Sequence, residues 1–285
     1  MTTSAAPPDI GIIGGSGFYS FVSSPEKVAV ETPFGAPSAE VAVGEVAGRR
    51  VAFLPRHGER HEFPPHRVNY RANLWALRAL GVRQVLAPSA VGSLKPELGP
   101  GTFVVPDQVV DRTWGREHTV YDTGSPVVHV SFADPYCPRG RSCVLGSGDP
   151  GEPALVDGGT LVVIPGPRFS SRAESTWHAA QGWSIVGMTG QPEAAIAREL
   201  ALCYTSIAMV TDHDAGVAAP GIPAHDGADP AARGAEPVTQ ATVLEVFSSN
   251  LGRLRGLLHR SIERLPDAEP DDTAACSCRR VLDGF

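Results

Sequence analysis

The sequence is short of nearly everything that marks a nucleic-acid-binding or membrane protein. It shows no basic patch or stripe, and 24 Lys and Arg stand against 31 Asp and Glu, a net charge of −7. That balance argues against a polyanionic partner, which clustered cations would have to hold, and points to a small ligand. No apolar run approaches the ~18 residues of a membrane span. The opening MTTSAAPPD has neither the basic nor the apolar stretch of a secretory leader, so the cytoplasm is the expected location. Five cysteines, at 137, 143, 203, 276 and 278, are an odd count without zinc-ligand spacing. Spacing therefore suggests neither a disulfide framework nor a metal site, and Cys276 with Cys278 is at most a local redox clip. There is no internal repeat.

What is present fits one large α/β domain: 285 residues, 42% of them hydrophobic and 19% charged. Short β-branched runs fall at 10–13, 51–54, 84–86, 102–105, 160–164 and 207–210, each followed by Gly, Pro or polar residues. Helical spacing appears between several of them. NYRANLWALRALG (69–81) ends on a capping glycine, and QPEAAIARELAL (191–202) has Pro192 and Glu193 in its first turn. Residues 239–265 read as a long amphipathic helix interrupted by Gly252 and Gly256. The alternation predicts a mostly parallel sheet. Residues 138–159 and 215–237 are rich in Gly, Pro and Ala; the second is long enough to be a lid or disordered. The tail 266–285 is expected to be poorly ordered.

Three strand ends carry candidate chemistry. IGIIGGSGFYSF (10–21) runs a strand into three glycines and Ser16, but lacks both the dinucleotide fingerprint and the Lys-Ser/Thr of a P-loop. It is either a nest of backbone N–H groups that cradles phosphate or a bare tight turn. LPRHGERH places Arg56 and His57 after an apolar run, where α/β folds assemble sites. There Arg offers a bidentate fork for phosphate and His can donate to it. A solvated surface pair is the alternative, and Arg-His-Gly also opens histidine phosphatases, which need a second late histidine; His259 is the last here. VTDHDAG puts Asp212 and Asp214 where a purine could dock, one of the two carboxyls retaining a proton. A divalent-metal pair or a plain turn would also fit.

Together, IGIIGGSG, LPRHGERH, VNYRANLWALRALG, APSAVGSL, IPGPRFSSRAES and GMTGQPEAAIARELALCYTSIAMVTDHDAG resemble the trimeric purine nucleoside phosphorylases over residues 9–265. Among these, the branch acting on 5'-methylthioadenosine is the most similar. The resemblance implies a single α/β domain with a mixed, mostly parallel central sheet flanked by helices. It implies phosphorolysis of the N-glycosidic bond to adenine and a 5-substituted pentose 1-phosphate, with inorganic phosphate as co-substrate and no metal or organic cofactor. By the same resemblance, Ser16, Arg56, His57, Ser89, Ala90 and Thr189 hold phosphate. Met188 lies under the ribose and Phe169 beside the base, and Asp212 and Asp214 recognise N7 and the 6-amino group, Asp212 sharing a proton with N7. Val243 and Leu244 line the 5' pocket, to which a neighbouring subunit lends His129 in a homotrimer.

Departures bear on the substrate. His213 and AGVAAPG stand where aminopurine-specific relatives often carry Tyr and bulky residues, and GMTGQPE resembles methylthioinosine-using relatives, which lack the Asp pair. Adenine is therefore expected, with a broader purine nucleoside or methylthioinosine activity as the alternative. A histidine-type phosphatase, or a nucleoside-binding protein without turnover, is the more distant reading.

Overall fold

The computed structural model describes residues 6–15, 21–122, 127–215, 217, 237–267 and 276–283. In chain order the strands are β1 (Ile10–Gly14), β2 (Ser23–Val28), β3 (Val41–Val46), β4 (Arg49–Pro55), β5 (Gln84–Ser93), β6 (Phe103–Val105), β7 (Gln108–Asp111), β8 (Val156–Asp157), β9 (Thr160–Val163), β10 (Ile185–Gly187) and β11 (Cys203–His213). The helices are α1 (Tyr70–Ala79), α2 (Pro138–Leu145), α3 (Arg172–Ala180), α4 (Gly190–Glu199) and α5 (Gln240–Arg264). All the strands join one mixed sheet, ordered β2-β3-β4-β1-β5-β10-β9-β7, with β11, β6 and β8 branching from β5. The central pairs β4-β1, β1-β5, β5-β11 and β10-β9 are parallel, and antiparallel pairs join β2-β3, β3-β4, β5-β10 and β6-β11.

Local signals explain the elements that matter. Asn69 caps α1 by accepting the Ala72 N–H, and Gly81 follows at φ +107°, a backbone conformation that suits a residue without Cβ. Ser171 and Glu174 cap α3 reciprocally. Ile12, Ile13, Leu54, Leu74, Leu77, Leu86 and Ile196 are completely or almost completely buried between sheet and helices. By area arguments each such side chain contributes roughly 1.5–3 kcal/mol of burial free energy.

Three expectations need correction. Residues 239–265 are not broken by their glycines: α5 runs continuously through Gly252 and Gly256. Burial of Leu254, Leu257, Leu258 and Ile262 outweighs the ~1 kcal/mol that each glycine costs a helix. The Gly-rich segment 138–159 contains α2 and β8. In the tail, 276–283 fold into turns with Cys276 and Cys278 buried; these two meet Cys137 and Cys203, so the absence of a metal-like cluster inferred from spacing fails in space. Most of the 215–237 segment lies outside the described residues.

Candidate active site

β5 forks the sheet. On one side it pairs with β11 from Gln84 to Ser93. On the other it pairs with β1 only as far as Leu86 and with β10 only from Gly92. Between those points 87–91 have no ladder partner on that side among the described residues, and there a cavity of about 440 Å³ opens. Ser89 and Ala90 line it, with Gly15 at the end of β1. Ser16 lies outside the described residues.

Arg56 and His57 line the same cavity, just beyond β4. Arg56 is not the open bidentate fork the sequence suggested. Its Nε and Nη2 donate to the two carboxylate oxygens of Glu193 at 2.7 and 2.8 Å. Nη2 also donates to the Ile13 carbonyl (3.0 Å), and Nη1 to that of Pro88 (3.2 Å). Since a guanidinium has five N–H bonds, one on Nη1 has no acceptor among the described residues. Burial alone would lower the Arg56 pKa, but the paired carboxylate holds it above its ordinary range.

His57 differs from expectation too. Its Nδ1 lies 2.8 Å from the Phe63 carbonyl, which can only accept, so Nδ1 carries the proton. Burial and the adjacent Arg56 cation push its pKa down to about 4, despite that carbonyl. At neutral pH Nε2 is therefore an acceptor, suited to a P–OH hydrogen rather than to donating to a phosphate oxygen. The His61 ring stacks on His57 with centroids 4.4 Å apart.

At the end of β11, a β-bulge between Val210 and Asp212 changes which residue faces Gly92. Gly92 packs closely there: a Cβ would stand 3.1 Å from an Asp212 carboxylate oxygen and 3.2 Å from Val186, so any larger residue would press on the Asp212 side chain. Asp212 accepts from the Thr211 hydroxyl at 2.7 Å. Burial raises its pKa to about 6, Thr211 opposing and Asp214 adding to the rise. Asp214 is 3% exposed and is likewise raised by burial, partly countered by the Ser175 and Ser170 hydroxyls. Its Oδ2 has no hydrogen-bond partner among the described residues. Both carboxyls line the cavity, ready to meet a donor.

Met188, Thr189 and Phe169 complete the walls, and Val243 and Leu244 enter from the first turns of α5. Thr189 precedes α4, but Gln191 is extended (φ −126°, ψ 139°), so the helical run starts after it and the Thr189 side chain makes no capping hydrogen bond. His129 is exposed and is not brought to the cavity within one chain. His259, the late histidine a phosphatase would need, lies exposed on α5 and does not line the cavity.

Two residues of the site's frame escaped the sequence reading. Glu193 reads only as an acid at a helix start, yet it also accepts from Tyr204 Oη at 2.7 Å. Arg116 donates to the carbonyls of Pro165 and Met188, both at 2.8 Å, tying two wall segments together. Nothing local in TWGREH signals that role.

The cavity brings Arg56 and His57 together with two protonatable carboxyls on one mixed, mostly parallel sheet, and a family model described as "Phosphorylase superfamily" matches residues 9–263. The chain belongs to the phosphorylase superfamily. Within it, the chain is 56% identical over 284 residues to a Streptomyces coelicolor protein named purine nucleoside phosphorylase, covering 97% of this chain and 95% of that one. It is 62% identical over 209 residues to the S-methyl-5'-thioadenosine phosphorylase of Mycolicibacterium smegmatis, covering 73% and 78%. A solved methylthioadenosine phosphorylase from an Antarctic soil metagenomic library superposes with a TM-score of 0.81 at 35% identity, covering 97% and 91%. The methylthioadenosine phosphorylase of Schistosoma mansoni, solved in complex with adenine, gives 0.76 at 38%, covering 90% and 91%. The mixed, mostly parallel single-domain fold is that of these superfamily members.

Proposed function

We infer that this chain phosphorolyses 5'-methylthioadenosine to adenine and 5-methylthioribose 1-phosphate. The observation that carries this reading is one cavity with Arg56 and His57 at one part of its wall and Asp212, held near pKa 6, at another. Phosphate is assigned to the Nη1 hydrogen of Arg56, the backbone around Ser89 and Ala90, the Thr189 hydroxyl, His57 and Ser16. Held below the anomeric carbon, its oxygens stabilise the oxocarbenium-like cation that forms as the glycosidic bond lengthens. Asp212 shares its proton with N7, so that adenine leaves neutral, while Asp214 accepts from the 6-amino group. Phe169 is assigned to the base, Met188 to the ribose, and Val243 with Leu244 to the apolar 5' substituent.

The reading requires no metal or organic cofactor for the reaction. The resemblance assigns His129, which lies outside the cavity of its own chain, to a neighbour's 5' pocket, and the active unit to a closed homotrimer. Methylthioadenosine incubated with and without phosphate or arsenate tests the chemistry. Adenine release only with the oxyanion is expected; equal release without it overturns phosphorolysis, and phosphate release from a phosphomonoester would favour the phosphatase. Preferential cleavage of 6-oxo nucleosides would overturn the adenine assignment.

A further inference from the structure

Remote from the cavity, four cysteines meet. Cys137 precedes α2, Cys203 opens β11, and Cys276 and Cys278 come from the tail. All four are at most 6% exposed. The Cys276 sulfur lies 3.4 Å from that of Cys137 and 3.6 Å from that of Cys203, and all four sulfurs fall within 4.8 Å of one another. A tetrahedral zinc with bonds of ~2.3 Å sets its sulfurs about 3.8 Å apart, so this set needs only small adjustments to close on one ion. The surroundings suit an anionic centre. Cys137 stands at a helix N-terminus whose side-chain cap is unused, where the dipole favours a thiolate. Arg279 follows Cys278 directly and its N–H donates to the Cys276 carbonyl, while the Arg83 carbonyl accepts from the Cys203 N–H.

We propose that Cys137, Cys203, Cys276 and Cys278 hold a structural zinc(II) ion that fastens the C-terminal tail to the starts of α2 and β11. Binding releases the four thiol protons to solvent and leaves a Zn(S-Cys)₄ centre of net charge −2 beside the Arg279 backbone. Four protein ligands close the coordination sphere, which is the mark of a structural site. The centre sits at the opposite end of β11 from Asp212, about 30 Å away at ~3.3 Å per strand residue, and takes no part in the reaction.

The test is metal analysis of the full chain purified without chelator or added metal, combined with thiol alkylation and intact mass. The expected result is about one zinc per chain. Only Cys143 is then alkylated in the native protein, and all five cysteines after unfolding with a chelator. The variant C276S/C278S should lose at least nine-tenths of the zinc, whereas C143S should keep it. Absence of zinc with five free thiols overturns the proposal, as does a mass about 4 Da low from two disulfides. So does zinc retained in full by C276S/C278S; should that variant not fold, metal content and alkylation of the unsubstituted chain decide.

Discussion

Arg56 and Glu193 stand 137 positions apart in the chain, yet share paired hydrogen bonds of 2.7 and 2.8 Å with both side chains no more than 2% exposed. Glu193 thus fixes the plane of the guanidinium and decides which of its hydrogens faces the cavity.

Removing that partner should hurt both the fold and one substrate. Glu193→Ala leaves a buried cation uncompensated, a change that typically costs about 3–5 kcal/mol. Thermal unfolding should shift down accordingly, and KM for phosphate should rise far more than KM for the nucleoside. An unchanged melting temperature with an unchanged phosphate KM would show that the pair neither supports the fold nor orients Arg56.

Asp212 links activity and stability to pH. An ordinary aspartyl carboxyl ionises near 3.8, whereas burial moves this one to about 6 in the folded chain. Because the folded value is the higher one, there is no penalty below about 3.8; it grows as pH rises from about 3.8 to about 6 and is level above that. On the usual scale it is of order 1–3 kcal/mol at pH 8. Asp212→Asn should therefore be more stable than the unsubstituted chain at pH 8 and lose that advantage by pH 4, as read from denaturant midpoints. In the unsubstituted enzyme kcat/KM for the nucleoside should fall as pH passes about 6, and the variant should lose that limb. Asp214→Asn, at the residue assigned to the 6-amino group, should shift preference from adenosine toward inosine, since an amide can donate to O6. An unchanged preference would remove Asp214 from recognition of the 6-position.

The assignment of His129 predicts complementation between chains. His129→Ala keeps its own cavity residues but cannot complete a neighbour's, and Asp214→Ala has the opposite defect. Unfolded together and refolded as mixed assemblies, the two weakened variants should recover a substantial fraction of activity, since some interfaces join an intact cavity to an intact His129. Activity no greater than the sum of the parents, or a fully active monomer by light scattering at assay concentration, would refute a shared site.

Much of this architecture is readable from local signals. The apolar runs at β1, β4 and β9, the Asn69 cap with Gly81, and the strand ends carrying Arg56, His57, Asp212 and Asp214 all follow from pattern and turn chemistry. β2 escaped because its residues are largely exposed and carry no apolar alternation, and β10 because three residues are too few for a period. The Ser171 to Glu174 capping box is itself legible in SSRAES. What local pattern cannot supply is long-range pairing. Glu193 gains its role only when α4 meets the end of β4, Arg116 only through carbonyls of two distant segments, and the cysteines only when the tail returns to β11.

The fork in β5 leaves an edge in the middle of the sheet. At an outer margin, unpaired peptide groups invite a foreign strand, which proteins avoid by shortening or covering the margin. This one faces a hollow of about 440 Å³, a volume on the scale of a small ligand rather than of a strand. Whatever occupies the gap replaces a missing length of backbone and bridges β1 to β10, becoming part of the load path of the fold. Occupancy should therefore slow amide exchange in strands that never touch it.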